Sequence, residues 1–169
     1  MAEHVWSVLT SSSTIDRETQ ILSLFNILEY LNIAESAEKL REVVEARAAF
    51  AVQMELWSWW VRSDYAQPET AVVRYRLIAA DGERFPPKAF QVPLEETRTA
   101  HTRLRVNTFP FRGLGLYWWI VEKKGAGDSE EWELMARVPI ELAHQEPTSS
   151  PTAPEPPSEP TPDVPRNSS

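Results

Sequence analysis

The sequence predicts an all-β protein: an antiparallel β-sandwich of about eight strands with one short helix. Apolar residues alternate with polar ones in several runs across residues 1–142. Residues that favour tight turns separate those runs. One stretch alone combines helical spacing with a clear cap.

The elements follow in chain order. His4, Val5, Trp6, Ser7, Val8 and Leu9 read as a strand. Residues 21–33 fit two periods. Ile21, Leu24, Phe25, Leu28 and Leu31 make a helical stripe, while Ser23, Phe25, Ile27, Glu29, Leu31 and Ile33 alternate. Spacing leaves both open there, and strand is the reading adopted. Residues 36–48 are the best helix. Ser36 can cap it, Lys39 and Glu42 are good formers, and Leu40, Val43, Val44 and Ala48 form a narrow stripe.

Strands follow. Val52, Met54, Leu56 and Trp60 share one parity. Ala71, Val73, Tyr75, Leu77 and Ala79 oppose Val72, Arg74, Arg76 and Ile78. Leu104, Val106 and Thr108 oppose Arg103, Arg105 and Asn107. Leu114, Leu116, Trp118 and Ile120 form one set, and Trp132, Leu134, Ala136 and Val138 oppose Glu131, Glu133, Met135 and Arg137. Parity therefore puts Trp60 and Trp118 in the core. Asp81-Gly82, Gly113 and Gly115 mark turns, and Gly125-Ala126-Gly127-Asp128 reads as a hairpin loop. Pro86-Pro87 and Pro93 flank residues 88–92, which suits an edge strand, since proline cannot donate to a ladder.

The domain is read as residues 1–142 and the remainder, 143–169, as a disordered proline-rich acidic tail. Eight prolines fall between Pro147 and Pro165, with too little apolar area to offset ordering. Pro151, Pro154, Pro157 and Pro160 recur every third residue and would share one face of a polyproline II helix. A stiff spacer is the reading favoured over a ligand for a PxxP-reading groove.

Composition narrows the classes. There is no Cys, so disulfides, thiolate metal sites and a Cys nucleophile are excluded. The net charge is −8. From Ala143 on there are four acids and one base, which leaves −3 in the tail and −5 in the domain. An acidic domain disfavours nucleic acid, whose affinity comes from basic contacts to phosphate. The opening residues lack the pattern of a signal peptide, and no window suits a membrane span. A cytoplasmic location and no membrane partner are expected.

A resemblance is carried by the run from His4 to Leu9, then Asp16, Thr19, Leu22, Ser23, Leu24, Phe25, Leu28 and Glu29. Gly115 with Tyr117, and Trp132 leading to Arg137-Val138-Pro139-Ile140, extend it to about residues 3–142. In these the chain resembles a family of uncharacterised small bacterial proteins, whose expected fold is a β-sandwich. Relatives often carry Cys where this chain has Thr10. The resemblance favours strand for residues 21–33 and implies no catalytic residue or ligand.

Catalytic chemistry finds little support. His4, His101 and His144 stand far apart, without metal-ligand spacing. Ser11, Ser12 and Ser13 lack a nucleophile elbow, and there is no phosphate-binding glycine loop. Asp16 with Glu18 and Glu131 with Glu133 are carboxylate pairs, but the latter suit cross-strand partners for Arg74 and Arg76 or Arg103 and Arg105. If the two arginine strands paired, four guanidiniums would share one face.

The tryptophans are harder to set aside. Parity puts Trp57 and Trp59, and likewise Tyr117 and Trp119, on second faces opposite the core. An ordinary sandwich strand is polar there. The cover could be the helix through Leu40, Val43 and Val44, a second subunit, or nothing, leaving an open platform. The sequence thus points to a non-enzymatic binding or scaffolding module, for a protein partner or self-association. A glycan- or peptide-binding aromatic platform is the alternative. Trp57, Trp59, Tyr117, Trp119, Arg74, Arg76, Arg103 and Arg105 are the candidate surface, and no cofactor or metal is expected.

Overall fold

The computed structural model describes residues 2–64, 66–125 and 131–145. Residues 126–130 and 146–169 lie outside this set, and with them most of the expected hairpin loop and nearly all of the expected tail. Among the described residues nine strands and one helix follow in order: β1 (Ala2–Ile15), β2 (Leu22–Ile27), β3 (Tyr30–Ile33), α1 (Ala37–Glu45), β4 (Ala49–Arg62), β5 (Glu69–Ile78), β6 (Lys88–Leu94), β7 (Thr99–Pro110), β8 (Gly115–Lys124) and β9 (Trp132–His144). They form a sandwich of two sheets. One has the order β2-β1-β4-β7 and the other β3-β9-β8-β5-β6. All pairs are antiparallel except β3 with β9, which is parallel.

The two periods of residues 21–33 have a structural cause. The segment is two strands, and they belong to different sheets. Asn26 takes a left-handed backbone, with φ of 51°. Leu28 N then donates to Leu9 O in one sheet, and Glu141 N donates to Glu29 O in the other. The chain crosses between layers there, so neither period holds throughout. Ser36 caps α1 as expected, accepting from Lys39 N at 3.2 Å. The helix stops at Glu45 rather than Ala48 because Arg47 is left-handed, with φ of 50°. Leu40 is buried, and Val43 and Val44 pack beside the core.

Expected inward faces hold for β4 and β5. Met54, Leu56 and Trp60 are buried, as are Ala71, Val73, Tyr75 and Leu77. On β8 the expectation is reversed. Tyr117, Trp119 and Val121 point into the core, and Leu116, Trp118 and Ile120 line the outside of the five-stranded sheet. Both faces of this strand are apolar from residue 116 to 121, and the polar residues beyond fall on both, Glu122 on one and Lys123 on the other, so parity alone leaves two solutions. The buried tip of Tyr117 decides: its hydroxyl accepts from Arg112 N at 2.8 Å and donates to Gly113 O at 2.9 Å. Trp118 is therefore not a core residue.

On β9 the parity breaks once. Val121 pairs with Ala136 and Glu122 with Leu134, leaving Met135 as the extra residue of a bulge. Val138, Ile140 and Leu142 point inward, whereas Leu134 is 48% exposed. The domain also runs past residue 142: β9 continues to His144, and Gln145 N donates to Ile33 O at 3.2 Å.

A chain of polar groups crosses the core between the sheets. Trp60 Nε1 donates to Thr102 Oγ1 at 3.0 Å, and Thr102 and Tyr75 hydroxyls are bonded to each other. Tyr75 donates to Ser58 Oγ at 3.0 Å, Ser58 meets Ser7 at 2.6 Å, and Ser7 meets His4 Nε2 at 2.7 Å. With each hydroxyl passing its proton along the chain, neutral His4 accepts from Ser7 at Nε2; in the Ser58–Ser7 pair either hydroxyl can be the donor. Burial against Trp60 pushes the His4 pKa below its ordinary 6.5, outweighing a backbone bond that raises it. Neutral His4 thus belongs to the folded state, while the unfolded chain takes up a proton near 6.5. The stabilisation is present above that pH and is lost as pH falls through the lower folded value. The melting temperature should therefore drop on acidification below about pH 6.5. A His4→Gln variant should show a flatter profile over the same range. Identical profiles for variant and wild type would remove His4 from the linkage.

Candidate functional site

The expected surface residues separate into three places. Tyr117 and Trp119 are inside the sandwich, and their cover is the opposite sheet. Trp119 belongs to the buried core with Leu104 and Val106 of β7, at the floor of a groove that opens between the two sheets. They form no part of an outer surface, contrary to the sequence reading. Neither a helix nor a subunit is needed to cover them.

Trp57 and Trp59 do lie on an outer face, that of the four-stranded sheet. Three cross-strand rows build it: Trp6, Trp59 and His101; Val8, Trp57 and Arg103; Thr10, Glu55 and Arg105. Trp57 is only 3% exposed. Its cover is local. The Arg103 guanidinium lies 5.2 Å from the ring centroid, and His101 packs edge-on at 6.1 Å. Trp57 Nε1 donates to Glu55 Oε2 at 3.0 Å. Trp59 is half-buried and stacks with His101 at 6.1 Å and 17°, and Trp6 tilts against both rings.

Glu55 ties this face together. It accepts from Ser13, Trp57 and Arg105, with Arg103 at 3.6 Å. Burial would raise its pKa, but the hydrogen bonds from Ser13 and Trp57 and the positive charge of Arg103 hold it below the ordinary 4.5.

Arg74 and Arg76 lie on the opposite side of the molecule, on the outer face of the five-stranded sheet. The idea of four guanidiniums on one face fails because β5 and β7 belong to different sheets. Their carboxylate partner is Glu122, and Glu133 serves Lys123. Glu122 accepts from Arg74 Nε at 2.6 Å and from Arg76 at 3.4 Å, while Glu133 sits 3.6 Å from Lys123. Arg74 also lies 4.0 Å above the Trp132 ring.

This face carries what the sequence reading missed. Ile78, Trp118 and Pro139 stand in one row; Arg76, Ile120 and Arg137 stand in the next. On the other side of Trp118, Tyr30 and Leu116 flank Glu141. Tyr30 is 60% exposed and Leu116 45%. The missed signal was the choice of face on β8. Once Tyr117 and Trp119 point inward, Leu116, Trp118 and Ile120 must point out. A shallow basin of about 400 Å³ lies here, lined by Arg76, Ile78, Arg84, Trp118, Ile120, Glu122, Leu134 and Arg137.

Among the described residues no helix is long and apolar enough to cross a membrane. No family model matches the chain, and no curated protein matches it in sequence. Among solved structures it is similar to part of the alkylpurine DNA glycosylase AlkC of Pseudomonas fluorescens, in a complex with DNA containing an abasic site analogue. The identity is 14% and the TM-score 0.45, over 83% of this chain and 30% of the glycosylase chain. It is also similar to the cupredoxin domain of amoB from Nitrosocaldus yellowstonii, with 15% identity and a TM-score of 0.40 over 92% of this chain and 95% of that one. Likenesses at this level carry no inference about function.

Proposed function

We propose that the domain is a non-enzymatic protein-binding module whose docking surface is the outer face of the five-stranded sheet. One observation carries the reading. Leu116 and Leu134 are each more than two-fifths exposed and lie with Trp118, Ile120 and Pro139 in an apolar strip bordered by arginines, with Tyr30, 60% exposed, set off from it by Glu141. Aromatic residues and arginine are what protein interfaces enrich, and such strips are uncommon on surfaces that stay uncovered.

The test pairs wild type with a Leu116→Glu, Leu134→Glu double variant, since both residues are exposed and neither fills the core. Light scattering over a range of concentrations reads self-association. Quantitative affinity capture from an extract of the source organism reads a separate partner. Either association should appear with wild type and fall at least about tenfold in the variant, at unchanged melting temperature. If wild type stays monomeric and every captured protein is retained equally by the variant, this face is not the docking surface.

The alternative reading, a platform for sugar rings or an extended peptide, finds its support on the other sheet. There Trp6, Trp59 and His101 make a partly exposed aromatic patch. A glycan array read with wild type and with Trp59→Ala discriminates, because a platform should lose its signal in the variant.

A further inference from the structure

We propose that the basin around Trp118 is an anion site for a phosphate monoester carried on a flat apolar body, such as an aryl phosphate. This goes beyond the protein-docking reading, since the site needs no macromolecule to fill it. Three guanidiniums, of Arg76, Arg84 and Arg137, line the basin against one carboxylate, Glu122, a net of two positive charges. That carboxylate is already held by Arg74 at 2.6 Å from outside the basin. The local excess stands out in a chain of net charge −8.

Geometry sets the positions. Arg76 and Arg137 both pair with Ile120, from β5 on one side and β9 on the other. Their Cα atoms are thus two strand spacings apart, about 10 Å, and the long side chains can reach one anion above Ile120. Arg84 enters from the third side through its bridge to Ile78, next to Trp118. The Nε of Arg76 is buried without a hydrogen-bond partner among the described residues, and its contact to Glu122 is long at 3.4 Å, so this guanidinium is incompletely satisfied. Guanidinium forks match phosphate oxygens, and two positive charges match a phosphate monoester better than a carboxylate. Trp118, Ile78, Ile120 and Leu134 supply a wall and floor for the apolar body. The volume of about 400 Å³ is that of a small-molecule site.

The test is an NMR titration of the full chain, following the Trp118 indole N–H and the arginine Nε–H signals. Phenyl phosphate should shift Trp118 and Arg76 saturably, with a Kd below about 1 mM. Benzoate should bind more weakly, inorganic phosphate more weakly still, and benzyl alcohol should leave the arginine signals unmoved. Arg84→Gln and Arg137→Gln, both at exposed side chains, should each weaken phenyl phosphate at least about fivefold with the rest of the spectrum unchanged. Added salt should weaken it further. A phosphotyrosyl peptide in the same titration separates the sources: tighter binding than phenyl phosphate assigns the group to a protein side chain, and equal or weaker binding assigns it to a free small anion. Three results would overturn the site: no saturation by about 10 mM, equal binding of benzyl alcohol, or wild-type affinity in both arginine variants.

Discussion

Replacing Trp119 with Ala is expected to destabilise the protein by about 3–5 kcal/mol, while Trp118→Ala should cost less than about 2. The two are neighbours on β8 and differ only in face. Trp119 is 7% exposed and packs between the sheets among Tyr75, Leu77, Leu104 and Val106. Truncation there opens a cavity that both sheets resist closing. Trp118 lies over the outer face, and water can take its place. Trp60→Ala is the control for the opposite sheet. That ring is fully buried and donates to Thr102, so its loss should match or exceed that of Trp119. Urea unfolding at fixed protein concentration measures all three. A larger loss for Trp118 than for Trp119 would mean that the faces of β8 are the other way round.

That contrast also marks where sequence reasoning succeeds. Where one face of a strand is polar, the pattern suffices. Arg74 and Arg76 point out of β5, so Val73, Tyr75 and Leu77 point in. Trp60 is placed correctly on β4 because it continues Met54 and Leu56. Where both faces are apolar, as on β8, alternation has two solutions. The choice then rests on the Tyr117 hydroxyl reaching Arg112 and Gly113, which spacing does not disclose. The bulge at Met135 is likewise invisible, because one inserted residue leaves the local pattern intact and moves everything before it to the other face. The two arginine pairs were recognised on their strands, but which strands share a sheet is a long-range fact. β5 and β7 end in different layers, and each pair closes on its own glutamate. The apolar strip on the outside of the five-stranded sheet is hidden in the sequence for the same reason as the place of Trp118: it exists only once the orientation of β8 is fixed.

The second large effect is expected at Glu122. This carboxylate lies between Arg74 and Arg76, and the three side chains are only 15%, 18% and 21% exposed. Breaking a fully buried ion pair by removing one partner costs about 3–5 kcal/mol, chiefly because a charge is left buried without compensation. Here water still reaches about a fifth of each arginine, so Glu122→Gln should cost about 2–3 kcal/mol. Glu55→Gln serves as the comparison. It also serves two arginines, but Arg105 is 64% exposed and Arg103 36%, and both can turn to solvent. Its loss should therefore be smaller and more sensitive to salt. An equal or smaller loss at Glu122 would show that Arg74 and Arg76 escape to water as easily as their counterparts. The same substitution separates stability from recognition. Without Glu122 the basin keeps Arg76, Arg84 and Arg137 and has no carboxylate in its lining. Phenyl phosphate should then bind several-fold more tightly to a protein that is less stable. A purely structural role for these arginines would give the loss of stability and leave the affinity where it was.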